Sequence, residues 1–188
     1  MSDLLSADDR LRVLSEARRA VAAAIAGQRP APPSAEGVFS LRAGVFVSWH
    51  RDGELRGCIG QPSGDRPLAE TVGRCAIAAA TEDPRFPPVT AAELEACDLE
   101  VSVLGPMTPV AWPDEIIVGR HGLIVEQHGR RGLLLPQVAT EYGWDRETFL
   151  AHTCMKAGLP RDAWKTGARL LRFDAEVFAE RPAGTRHA

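Results

Sequence analysis

Val45-Phe46-Val47-Ser48-Trp49-His50-Arg51-Asp52-Gly53-Glu54-Leu55-Arg56-Gly57-Cys58-Ile59-Gly60 holds two strand-like runs either side of an Asp-Gly pair. Asp-Gly accepts the positive φ that a type I′ turn needs at both central positions, and that turn matches the twist of two paired strands. The stretch predicts a hairpin, with strands over 45–50 and 55–60 and the turn at Asp52-Gly53. A two-residue loop can only join antiparallel neighbours, so the sheet starts antiparallel.

The flanks extend this sheet and add helices. Upstream, Ser6-Ala7-Asp8-Asp9 reads as a capping box, and Leu11, Leu14, Ala17, Val21, Ala24 and Ile25 recur at helical spacing as far as Gly27. Residues 28–34 carry three prolines and form a connector, and a short strand is expected over 38–41. Downstream, Pro67 suits a first helical position, and Leu68, Val72, Cys75, Ala76 and Ala79 make one apolar stripe that Pro84 stops. Thr90-Ala91-Ala92-Glu93 is a second capping box. Over 97–104 the pattern alternates, with Cys97, Leu99, Val101 and Val103 facing one way and Asp98, Glu100 and Ser102 the other. A hairpin around His128-Gly129, short helices over 136–142 and after Asp145, and a final strand over 169–180 complete the chain. Hairpin-joined strands interrupted by helices predict an α+β fold, a largely antiparallel sheet flanked by helices.

Composition narrows the function classes. The 188 residues are 45% hydrophobic and 25% charged, which suits one globular domain over 1–182 with a frayed tail at 183–188. The net charge of −3, from 22 basic and 25 acidic residues, gives no electrostatic case for nucleic acid or an anionic membrane. No apolar run approaches the ~20 residues of a membrane helix. Asp3, Asp8 and Asp9 open the chain where a signal peptide would be basic and then apolar, so a cytoplasmic protein is expected. Cys58, Cys75, Cys97 and Cys154 are scattered without a CxxC pair, and free thiols are expected. No metal cluster, glycine-rich phosphate loop or cofactor motif is present in the sequence.

The candidate centre is Cys58. Strand alternation puts Arg56, Cys58 and Gly60 on one face, where the Arg56 guanidinium would favour the thiolate. Gly57 and Gly60 would leave the thiol open to a ligand. Cysteine as a small core residue and glycine as a packing contact explain the same letters. A simple two-residue loop sets Trp49 opposite Arg56 and Val47 opposite Cys58; one extra loop residue would bring Ser48 and His50 to the cysteine face. The Asp-Gly turn favours the first register, with a Trp49–Arg56 stack.

A cysteine nucleophile needs a base, and His152 and His121 are the candidates, His152 at the edge of a helix stripe and His121 at a strand start. His128 on a hairpin tip and His187 in the tail are weaker. Glu100 on its strand's polar face is a candidate binding residue, and no two carboxylates show an acid/base spacing. Asp83-Pro84-Arg85-Phe86-Pro87-Pro88 is a stiff loop that would present Arg85 and Phe86 rigidly, to a ligand or partner or as a structural bridge.

Leu55-Arg56-Gly57-Cys58-Ile59-Gly60 resembles the six-residue signature of the AMMECR1 family. The Arg-Phe-Pro-Pro loop at 85–88, Gly119-Arg120-His121-Gly122 and Leu135-Pro136-Gln137-Val138-Ala139 with Gly143-Trp144 resemble further family segments. The run from Phe149 through Lys156-Ala157-Gly158-Leu159 to Trp164 is similar to the prokaryotic branch, AmmeMemoRadiSam system protein A. The resemblance implies an α+β fold in two unequal lobes, with Cys58 in the larger. It also implies a pathway shared with a Memo-like protein and a radical SAM enzyme as partners, and names no reaction. Two functions follow as expectations. One is a cysteine-centred enzyme or accessory using Cys58, Arg56 and His152 or His121. The other is a binding module using the Arg56–Cys58 strand and the Arg85–Phe86 loop.

Overall fold

The computed structural model describes residues 4–180. Asp3, His187 and the tail at 183–188 lie outside the described residues. The elements in chain order are α1 (Ala7–Ile25), β1 (Val45–Arg51), β2 (Glu54–Gln61), α2 (Leu68–Thr81), α3 (Ala91–Leu94), β3 (Cys97–Leu104), β4 (Thr108–Pro109), β5 (His121–Gln127), β6 (Arg130–Leu134), α4 (Pro136–Glu141), α5 (Arg146–Lys156) and β7 (Arg169–Ala179). Single 3-10 turns occupy Gly37–Ser40, Pro113–Glu115 and Ala163–Lys165. The registered strand pairs are antiparallel, so the α+β expectation holds. The chain falls into two compact units, one of residues up to 104 with those from 176 on, the other of 105–175.

In the first unit the strand order is β2-β1-β3, with β7 beyond β3. Val45, Val47 and Trp49 of β1 and Leu99, Val101 and Val103 of β3 are fully buried on one face. They share a core with Val13, Leu14, Ala17 and Val21 of α1 and Leu68, Val72, Cys75, Ala76 and Ala79 of α2. Period-two and period-3.6 apolar patterns thus meet on one side of the sheet. The Trp49 indole N–H donates to the Ala76 carbonyl at 3.1 Å, and the Arg18 guanidinium lies 5.2 Å from its ring. The expected Trp49–Arg56 stack is therefore replaced by Trp49–Arg18.

The second unit pairs β6-β5-β7, with the short β4 also on β7. Its core joins Ile116, Leu123 and Val125 to Phe149, Leu150 and Cys154 of α5. The hairpin at His128-Gly129 forms as expected, with both residues at positive φ.

Four local expectations change. The strand expected over 38–41 gives way to the 3-10 turn Gly37–Ser40, because Gly37 turns the chain at φ 53° and the Ser40 hydroxyl donates back to the Gly37 carbonyl. Leu11, expected in the α1 stripe, is 66% exposed, since Val13, Leu14, Ala17, Ala20 and Val21 form the buried face. Pro67 stands just before α2, outside the first helical position. Thr90 caps the Glu93 N–H, but the Glu93 carboxylate reaches Arg56 and Arg51 and leaves the capping box half made.

A candidate site on the Cys58 strand

The β1–β2 hairpin turns as predicted, with Asp52 and Gly53 at φ 53° and 82°. Arg51 faces Glu54 and His50 faces Leu55, but the register then slips between Trp49 and His50, and Trp49 faces Gly57. Arg56 is the extra residue of a β-bulge. Ser48 therefore stands opposite Cys58, and the expected Val47–Cys58 and Trp49–Arg56 pairs do not form. The cause lies on the core face. A Cβ on Gly57 would meet the Ala79 carbonyl oxygen of α2 at 1.9 Å, so only glycine fits beneath that helix. The bulge delivers Gly57 to this position and turns Cys58 to the other face. Across that face Ser48 is also opposite Glu100, which makes a row of Cys58, Ser48 and Glu100 over three strands.

The outer edge of β2 is closed by the proline loop. The Cys58 N–H donates to Asp83 Oδ2 at 2.9 Å, so it points away from β1, and Cys58 and Ser48 form a non-hydrogen-bonded pair with close side chains. Asp83 is 4% exposed. Its Oδ1 accepts from the Arg85 backbone N–H at 3.1 Å and from Arg85 Nε at 2.9 Å, and its Oδ2 from Arg85 Nη2 at 2.6 Å. These hydrogen bonds from Arg85 hold the Asp83 carboxyl far below the usual carboxylate range. Arg56 forks onto Glu93 at 2.7 and 3.1 Å and donates to the Pro87 carbonyl at 2.7 Å. The Phe86 ring has the Arg85 guanidinium 5.4 Å and the Arg56 guanidinium 6.0 Å from its centre. The two sequence segments thus interlock as one assembly, with the Arg85 side chain still 55% exposed.

The chemistry of the thiol differs from expectation. Burial pushes the Cys58 thiol up, a hydrogen bond with Ser48 and the Arg85 charge pull it down, and Asp83 and Glu100 push it up. Burial dominates, so Cys58 is a protonated thiol at neutral pH. The cation beside it is Arg85; Arg56 is engaged by Glu93 and Pro87 and does not activate it. Gly57 and Gly60 do not open space around the sulfur. Gly57 faces the core, and a Cβ on Gly60 would strike the Phe46 ring at 2.3 Å.

The candidate histidines lie in the second unit. His121 is 2% exposed. Its Nδ1 accepts from the Ile117 N–H at 3.0 Å, and Arg172 Nη1 sits 3.1 Å from Nε2. Burial and the Arg172 charge lower its pKa, so it is a neutral ring that shapes the turn into β5. His152 lies flat on Trp144 at 4.0 Å and 14°, and Trp144 stacks on Tyr142 at 5.0 Å. The polar groups that act on Cys58, namely Ser48, Asp83, Arg85 and Glu100, all belong to its own unit. Among the described residues no group of His, Cys, Asp and Glu could hold a metal ion, and no helix is long and apolar enough to cross a membrane.

Comparison with known proteins bears on most of the chain. The AMMECR1 family model matches residues 14–178. A protein of Methanothermobacter thermautotrophicus is 48% identical over 185 residues, covering 94% of this chain and 96% of its own. Protein MJ0810 of Methanocaldococcus jannaschii is 44% identical over 186 residues, covering 94% and 92%. The crystal structure of the uncharacterized protein PH0010 from Pyrococcus horikoshii superposes with a TM-score of 0.87 at 41% identity, covering 96% of each chain.

Proposed function

The chain belongs to the AMMECR1 family, and from the geometry around Cys58 we propose that it is a binding module. Arg85 and Phe86 on the edge of β2 would be its contact residues. One observation carries this reading: a buried carboxylate, Asp83, fixes Arg85 to the Cys58 backbone while most of the Arg85 side chain stays in solvent. A guanidinium already held in place loses little entropy on binding, and its remaining N–H groups suit a carboxylate or carbonyl acceptor. The prolines on either side stiffen the same surface.

Candidate partners are a Memo-like protein and a radical SAM enzyme. The four free cysteines support a reducing, cytoplasmic setting. The test is co-purification of the chain with its cognate Memo-like and radical SAM proteins. Retention of a partner that Arg85→Ala and Phe86→Ala each abolish supports the reading. Failure to retain either partner overturns it.

The row of Cys58, Ser48 and Glu100 favours a second reading, cysteine-centred chemistry. There Glu100 would be the base that receives the thiol proton, relayed through the Ser48 hydroxyl as the sulfur reacts, with Arg85 supporting the thiolate. An unchanged product from the partnered pathway with Cys58→Ala would remove this reading.

A further inference from the structure

A shallow cavity of about 370 Å³ opens beside α1, lined by Leu11, Arg12, Ser15, Glu16 and Phe39. It shares no residue with the Cys58 site. Its charges are unequally engaged. Of the four arginines on α1, Arg10 pairs with Glu176 at 2.6 Å, Arg19 with Glu16 at 2.7 Å, and Arg18 with Glu180. Arg12 is different. Its carboxylate neighbour, Asp9, is 4.0 Å away, and the other Asp9 oxygen accepts from the Ser6 N–H and hydroxyl at the helix cap.

The Arg12 guanidinium lies 5.4 Å from the centre of the Phe39 ring, which holds it at the cavity. Ser15 is three residues on and a neighbour on the helix surface. The hydroxyls of Thr71, Thr81 and Thr153 donate back to the carbonyl four residues earlier. Among the described residues no hydrogen bond holds that of Ser15. Glu16 does not compete for Arg12, because Arg19 binds both its oxygens at 2.7 and 2.8 Å. The rest of the lining is apolar, from the edge of the largely buried Phe39 and the outward-facing Leu11.

We infer that this cavity binds a small organic anion, a monocarboxylate with an aromatic or short aliphatic body. The carboxylate takes the Arg12 guanidinium and the Ser15 hydroxyl, and the body lies against Phe39 and Leu11. A charge-assisted pair at one end and an apolar contact at the other is how small sites fix orientation. The volume stands near the lower end of the roughly 300–1,000 Å³ of such sites.

The probe is phenylacetate, titrated into the full chain and followed by amide chemical shifts. Shifts that saturate and centre on Leu11, Arg12, Ser15 and Phe39 are expected. Arg12→Gln should weaken the affinity by roughly tenfold, as loss of a charge-assisted hydrogen bond does. Arg66→Gln, on a separate exposed pair with Glu70, should leave it unchanged. Phenylacetamide, with the same body and no charge, should bind far more weakly. Shifts that never saturate, equal binding of the amide, or an unchanged affinity in Arg12→Gln would each overturn the inference.

Discussion

At the scale of single residues, the charge beside Cys58 decides its chemistry. The sequence pattern singled out an arginine near the cysteine, and a guanidinium is indeed close, but it is Arg85. Strand alternation cannot show this, because Arg85 arrives on a loop and the Asp83–Cys58 bond spans 25 residues of chain. Alkylation of Cys58 by iodoacetamide, resolved by mass spectrometry over a pH series, should give a midpoint above the ordinary thiol value of about 8.5. Arg85→Ala should raise it further, because the cation that lowers it is gone, and Arg56→Ala should barely move it. A midpoint below the ordinary value would restore the activated thiolate. Asp83 makes a second prediction. Asp83→Ala leaves the Cys58 N–H without its acceptor and should cost about 2 kcal/mol in denaturant unfolding. The Asp83 pKa is depressed in the fold, so its ionic contribution is complete above the unfolded carboxyl value of about 4 and fades as pH falls toward the folded one. The stability gap between the wild type and Asp83→Asn should be flat near neutrality and narrow only in acid. A gap that instead narrows between neutrality and mildly acidic pH would assign the effect to another group.

At the scale of elements, what repeats locally was legible and what depends on a distant neighbour was not. The Asp52-Gly53 turn and the α2 stripe follow from backbone geometry and burial and formed as read, while the alternation of β3 holds through Val101 and ends at Ser102, which is buried as well. The bulge at Arg56 did not follow, since its cause is a helix carbonyl 23 residues further along, at Ala79. One clue was in the sequence: glycine at 57 fits a position pressed against the core better than one lining a site. Ser48 was weighed at the cysteine face only in the disfavoured register, and Asp83 was missed, because the two reach Cys58 through the shifted register and the folded-back loop. The two signature glycines should now differ on substitution. Gly57→Ala drives a methyl into helix backbone that cannot turn aside, and about 3 kcal/mol of destabilisation is expected. Gly60→Ala meets the Phe46 ring, a side chain that can rotate, and the Val45 carbonyl oxygen at 2.7 Å, a looser backbone contact than the one at Gly57, and about 1–2 kcal/mol is expected. Equal losses in urea unfolding would mean that the Ala79 contact does not set the register. The loop has a further role at this scale. It covers the N–H edge of β2 that would otherwise be open to a second strand.

At the scale of the whole molecule, the first unit is built from two stretches of chain that flank the second in sequence. Residues from 176 on return to it along β7. There Glu176 accepts from the Leu5 N–H at 3.1 Å and from Arg10 at 2.6 Å, Glu180 pairs with Arg18, and Phe178 enters the core. The final strand over 169–180 was legible as a strand. That its last residues belong to the first unit was not, because strand pairing across such a separation leaves no local pattern. The arrangement makes the end of β7 a fastening for the Cys58 sheet, although it lies more than a hundred positions from Cys58 in sequence. Phe178→Ala should therefore cost about 3 kcal/mol, the low end for a buried phenylalanine, since Phe178 sits at the margin of the core. The loss should appear in the first unit's own backbone. Amide hydrogen exchange at Val47 and Val101, buried at the centre of that sheet, should speed up as its opening free energy falls. If exchange at these amides stayed at the wild-type rate while the amides of β5 lost protection, β7 would be fastening the second unit instead. The Cys58 strand would then owe its stability to α1 and α2 alone.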